Sequence, residues 1–172
     1  MQIELGRKGD YSVRAVLNLA RHYGRGRRKA REIAAEMDIP ERYLPQILAQ
    51  LVHHGLLVAT AGPDGGYELS RDPRDVTLIE VVEAAEGEIG TRQCVLRGGP
   101  CDWENVCPVH EPWSQAQQAF VRRLQATTFR QLARADAAIE AGERRVAEDA
   151  HPERRPRRGV RTRSNRGGQN DR

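Results

Sequence analysis

The chain has 172 residues, 38% hydrophobic and only 5% aromatic, enough to bury one modest core and too little for two full domains. It holds no apolar run of roughly 18 residues and no apolar centre near its start, which argues against a membrane span or secretory leader and for a cytoplasmic protein. The formal charge of +4 is uneven: eight arginines against Glu153 and Asp171 put +6 on residues 151–172, leaving −2 on residues 1–150.

Within residues 10–23, Val13, Val16, Leu17 and Ala20 recur at the i, i+3, i+4, i+7 spacing of one helical stripe, with Asp10 as N-cap or first-turn acid. Residues 24–29 hold two glycines and four cations and are expected to form a loop, either close to phosphates or simply solvated. Two short amphipathic helices follow. Residues 30–37 turn Ile33, Ala34 and Met37 inward, and residues 41–54 turn Leu44, Ile47, Leu48 and Leu51 inward. Joined through Asp38, Ile39 and Pro40, they read as a helix-turn-helix, in which small Ala34 permits close approach and Ile39 plugs the turn. Arg42, Tyr43, Gln46, Ala49, Gln50 and His53 make the outward face of the second helix, a mixture that suits base edges and phosphates and equally an ordinary polar face. Pro45 predicts a tight or bent first turn there.

Gly55 ends that helix, and residues 56–60 and 67–70 read as strands around a turn at 62–66. A hairpin directly after a recognition helix is a wing, so the predicted fold is mainly α with a small β wing. Thr77 and Glu80 form a capping box that opens a helix with Leu78, Val81, Val82 and Ala85 on one face. Beyond the next loop, Pro112 can start a helix whose Trp113, Ala116, Phe120 and Leu124 form a stripe; Thr128 and Gln131 offer a second capping box, and helical propensity runs to about residue 150. Little core remains for that stripe to cover, so a second copy of the chain is its expected cover, with packing on its own winged domain as the alternative. Residues 151–172 are too poor in apolar side chains to form a core; disorder is expected, serving solubility or attraction to phosphates.

All three cysteines, Cys94, Cys101 and Cys107, lie in one segment between these helices. Close-set thiolates suit a soft or borderline metal, and Gly98, Gly99, Pro100 and Pro108 let a loop turn its sulfurs inward. An odd set of cysteines in a reducing compartment points to metal or redox chemistry rather than to a disulfide framework. No Cys-x-x-Cys pair and no separate His and acid constellation supports thiol catalysis, so an enzyme is not expected.

Lys8-Gly9-Asp10-Tyr11, residues 39–57 with their Gly-Leu-Leu exit, the wing at 62–69, residues 78–82 and the three-cysteine loop together resemble the iron-sulfur winged-helix transcriptional repressors, the family that includes IscR and NsrR. The resemblance covers about residues 1–140. It implies a winged helix-turn-helix DNA-binding domain over 1–86, a cluster-binding loop over 87–111, a dimerisation helix region over 112–150 and a basic tail over 151–172. It further implies a homodimer crossed through a long C-terminal helix. A double-stranded DNA operator is expected to meet Arg31, Arg42, Tyr43, Gln46, Gln50, Gly65 and Gly66. Cys94, Cys101 and Cys107 would hold an iron-sulfur cluster, 4Fe-4S or 2Fe-2S, that reports nitric oxide, redox or iron-sulfur status. The implied fourth ligand is Asp10 of the partner subunit, favoured slightly because the partner's first helix should lie near the loop, or His110, three residues after Cys107.

The chain departs from the family pattern in places. Six residues separate Cys94 from Cys101 where five are common, which Gly98, Gly99 and Pro100 can absorb. Ala61 and Asp64 stand where the family's wing often carries an arginine, and Pro45 where IscR-like helices place a glutamate, so operator preference does not carry over. A structural Cys3His zinc site and a cluster-free thiol redox sensor are the competing expectations.

Overall fold

The computed structural model describes residues 4–89 and 107–143; Cys94, Cys101 and the basic tail lie outside the described residues. Helix α1 (Arg7–Arg21) runs through the middle of the fold, with α2, α3, α4 and α6 packed around it. It starts three residues earlier than its apolar spacing predicts. Gly6 is the N-cap and makes no side-chain bond, so Asp10 is a first-turn acid and not an N-cap. The Gly9 N–H donates to Glu86 Oε1 at 2.8 Å, and a Cβ on Gly9 would stand 2.6 Å from that oxygen, so a side chain there would push the carboxylate from its place. Ser12, Ala15, Val16, Asn18, Leu19 and Ala20 are buried, while Val13 and Leu17 of the predicted stripe are only partly so. A helix with neighbours on several sides buries more than one stripe.

α2 (Ala30–Met37) matches its predicted bounds and buries Ile33, Ala34 and Met37. The Glu32 carboxylate accepts the Lys29 N–H at 2.8 Å, satisfying an orphan donor at the helix start. Asp38 ends α2 in the left-handed region, at φ 53°, and the Ile39 N–H donates to Ala34 O at 3.0 Å, driving Ile39 into the core at 3% exposure. α3 (Leu44–His53) begins later than residue 41. Tyr43 N–H bonds to Pro40 O in a tight turn, and Pro45 occupies the second helical position, where its missing N–H costs little. Leu44, Ile47, Leu48 and Leu51 are buried as expected.

β1 (Leu57–Thr60) and β2 (Gly66–Leu69) pair antiparallel, Leu57 opposite Leu69 and Thr60 opposite Gly66. The sequence reads the first strand one residue longer at its start and the second shifted by one residue; the Ser70 N–H donates to Leu56 O at 3.1 Å, so the pairing continues just beyond both strands. Thr77 caps α4 (Leu78–Glu86) through the expected box with Glu80.

The region after the cysteine loop differs from one long helix. α5 (His110–Gln125) starts two residues before Pro112, and α6 (Phe129–Glu140) restarts at the Thr128–Gln131 capping box and ends before residue 150. Between them the chain turns back onto residues 73–78: Leu78 N–H donates to Thr127 O at 2.8 Å, Phe129 N–H to Val76 O and Arg130 N–H to Pro73 O, each at 2.9 Å. Phe129 is thereby fully buried beside Val16, Val76 and Val81. α6 belongs with the winged unit, whereas no residue of α5 is buried. Among the described residues no helix is long and apolar enough to cross a membrane.

Candidate nucleic-acid interface and ligand loop

Burial of Leu44, Ile47, Leu48 and Leu51 leaves the opposite side of α3 to solvent. Arg42, Pro45, Gln46, Ala49 and His53 are exposed, with Arg31 exposed on α2. Arg42 and Tyr43 sit in the turn before α3 rather than on the helix, and the Arg42 guanidinium lies 4.7 Å from the centre of the Tyr43 ring. That ring stacks in turn on Tyr11 of α1, centroids 5.9 Å apart at 29°. Gln50 is directed elsewhere: its amide donates to the backbone carbonyl of Ala84 in α4 and is half-buried. Gln46 thus carries the exposed amide of this face, able to pair with a base edge.

The basic loop before α2 is exposed over residues 24–27, as a solvated loop would be, and its last three cations bond the wing and α2. Arg27 pairs with Glu68 at 3.0 Å and Arg28 with Glu36 at 2.6 Å; Lys29 Nζ donates to Gly62 O at 3.4 Å and to Pro63 O. Arg28 and Tyr67 exchange backbone bonds of 2.9 and 2.8 Å, adding a third edge to the hairpin. At Gly65 a Cβ would meet Thr60 O at 2.1 Å, and at Gly66, with φ 151°, Arg28 O at 2.6 Å, so both glycines are required for the turn to close against its neighbours. The part played by Lys29 escaped sequence reasoning because its partners are more than 30 residues away.

A charged network ties this unit to α6. Arg21 reaches Glu140 at 2.6 Å, Asp136 at 3.2 Å and Glu36 at 3.7 Å, and His22 Nε2 lies 3.1 Å from Glu36. Burial pushes the Glu36 carboxyl up, but its hydrogen bond with His22 and the Arg28 charge outweigh burial and hold it below the usual carboxylate value. Glu80 behaves alike: burial is outweighed by bonds from Thr77 and the charge of Arg71.

The described residues reach the cysteine loop from both sides. On the entry side, the last turn of α4 touches α3 through Ala84 and α1 through Glu86, the carboxylate that accepts the Gly9 N–H. On the exit side, Cys107 is half-buried and unbridged; its carbonyl accepts the His110 N–H at 3.2 Å, and His110 is the first residue of α5. Asp10 is engaged by Arg14, with bonds of 2.8 Å to both guanidinium Nε and Nη2. Among the described residues no three His, Cys, Asp or Glu side chains are grouped to hold a metal, Cys107 being the one thiol they include. The donor set of the whole chain is three close-set thiolates with an imidazole or a carboxylate at hand, which suits a soft iron centre.

The profile of the Rrf2 family, described as iron-dependent transcriptional regulators, matches residues 5–135. The transcriptional regulator IscR of Cronobacter sakazakii is 27% identical over 152 residues, 88% of this chain and 93% of its own length. Among solved structures, CymR, the global cysteine regulator of B. subtilis, superposes with a TM-score of 0.66 at 26% identity, covering 77% of this chain and 97% of CymR. T. potens IscR gives 0.65 at 26% identity, covering 88% and 98%.

Proposed function

Because this chain belongs to the Rrf2 family of DNA-binding transcriptional regulators, we propose that it acts as a homodimeric repressor whose operator affinity is set by an iron-sulfur cluster. Cys94, Cys101 and Cys107 would hold the cluster, with Asp10 of the partner subunit or His110 as fourth ligand. The observation that carries this reading is the gathering of every thiol of the chain into the segment between α4 and α5, in a family described as iron-dependent. When bound, such a cluster supplies an iron centre reactive toward nitric oxide and oxygen.

The chain's own residues make the operator contact. Gln46 is placed to pair with a base edge, Ala49 and Pro45 offer apolar surface to a thymine methyl, and Arg42 and Arg31 supply positive charge. Gly65 and Gly66 let the wing turn approach the sugar-phosphate backbone. Two α3 helices of a dimer would read half-sites about 34 Å apart, so a small tilt of one against the other weakens binding. α4 is placed to carry that tilt. Its last turn borders the ligand loop and is bonded to Gln50 of α3 and Gly9 of α1, so a displaced loop pulls on both helices.

The test is a visible spectrum with iron and sulfide analysis of protein purified without oxygen. Broad visible absorption with matched iron and sulfide is expected, and Cys101→Ala should abolish it; full iron retention in that variant would defeat the ligand assignment. Asp10→Ala and His110→Ala separate the two fourth ligands, since only the true one should make the absorption labile. Colourless protein with zinc would support a structural Cys3His site, and colourless protein without metal a direct thiol sensor.

A further inference from the structure

We propose that Tyr11 is a positioning residue of the DNA interface, holding Arg42 through the ring of Tyr43 in the orientation it uses on DNA. The inference rests on the reading above that Arg42 faces the operator, and adds a residue on a different helix that makes no approach to DNA itself. Arg42 is exposed and forms no ion pair among the described residues, and it lies in the turn before α3, outside helical backbone. A long side chain so placed samples many rotamers, and all that freedom is lost when it binds a phosphate or base.

The ring of Tyr43 limits that loss. Its negative face attracts the guanidinium, 4.7 Å from the ring centre, well inside the reach of a cation–π contact. Yet Tyr43 is also in the turn and half-exposed, so it is a rigid platform only if something fixes it. Tyr11 does so. It belongs to the first turns of α1, packs against the hydrophobic core and lays its ring against that of Tyr43, 5.9 Å between centroids at 29°. Core, Tyr11, Tyr43 and Arg42 therefore form one stack whose inner end packs on the core and whose outer end is the cation offered to DNA.

The test uses the full chain, purified without oxygen, and a duplex that the unmodified protein selects from a random-sequence pool. Tyr11→Leu, which keeps apolar bulk and removes the ring, should weaken binding about three- to tenfold. Tyr11→Phe should bind as the unmodified protein does, because the stack needs the ring and not the hydroxyl. Arg42→Ala should weaken binding more, and in that background Tyr11→Leu should add nothing, since its effect passes through Arg42. Full affinity of Tyr11→Leu beside a weakened Arg42→Ala would overturn the proposal, as would an equal loss from Tyr11→Leu in both backgrounds, the mark of general damage to the fold. An unweakened Arg42→Ala would remove Arg42 from the interface and take both readings with it. Should Tyr11→Leu melt below the assay temperature, Tyr11→Met fills the space without a ring face and carries the same cycle.

Discussion

α5 and α6 follow the cysteine-bearing segment one after the other, both amphipathic, and meet opposite ends. Phe129 at the head of α6 is fully buried, while α5 buries no residue and leaves Phe120 41% exposed, with Val109 just before it 38% exposed. An apolar stripe alone does not decide between these outcomes. α6 is drawn in because residues 127–130 bond the backbone of residues 73–78 and because Asp136 and Glu140 meet Arg21, whereas α5 packs along α4 with Trp113 and Leu124 half-buried and Phe120 exposed; on the proposed dimer a second copy of the chain would cover that stripe. The contrast is sharpest in stability. Phe129→Ala should cost about 3–5 kcal/mol in urea unfolding, while Phe120→Ala should change the stability of dilute protein by about 0.5 kcal/mol or less. Equal losses would erase the distinction between the two helices.

The same contrast predicts the reverse order for association. On the proposed dimer, Phe120→Glu places a charge in the shared apolar face and should shift sedimentation equilibrium toward monomer. Affinity for a two-half-site operator should then fall about 100-fold, with single half-site binding unchanged, because the second contact no longer benefits from linkage. A variant that stays dimeric would move the interface away from α5.

Much of the fold was legible because its signals are local. α2 was read to the residue, the Thr77 and Thr128 boxes appear where their side chains announce them, and Ile39 plugs the turn as its place between two amphipathic helices suggests. The errors are long-range. The early start of α1 depends on a carboxylate 77 residues away at Glu86, the fastening of the wing on Lys29 and Arg28, and the return of α6 on backbone bonds to residues 73–78. At the candidate site, the exposed face of α3 was legible from periodicity, but the direction of Gln50 was not, since a polar residue at that register can face either DNA or a neighbouring carbonyl. The thiol spacing marks residues 94–107 as the candidate ligand segment, while the choice between Asp10 and His110 depends on a partner subunit's position, which local spacing does not encode.

The smallest expected effect concerns how the wing is held to the helical core, and it depends on pH. Glu36 is the shared acceptor of His22, Arg28 and Arg21, and Arg28 also bonds the wing through Tyr67. Its folded pKa lies below the usual 4.5, so the unfolded chain takes up the proton first as pH falls. The stabilisation is fully present above about pH 5, where both states are ionised, and is lost as pH drops through the folded value. Glu36→Gln should therefore be less stable than the unmodified chain by about 1 kcal/mol at neutral pH, since the partners are partly exposed and partly screened. The two should converge in urea unfolding as pH falls through that lowered value. Glu80, also held low, adds acid sensitivity of the same sign to both proteins, so it cancels in their difference and leaves Glu36 isolated. A gap that persists unchanged to low pH would assign the loss to packing of the side chain, and the tie between wing and core would then owe nothing to the charge of Glu36.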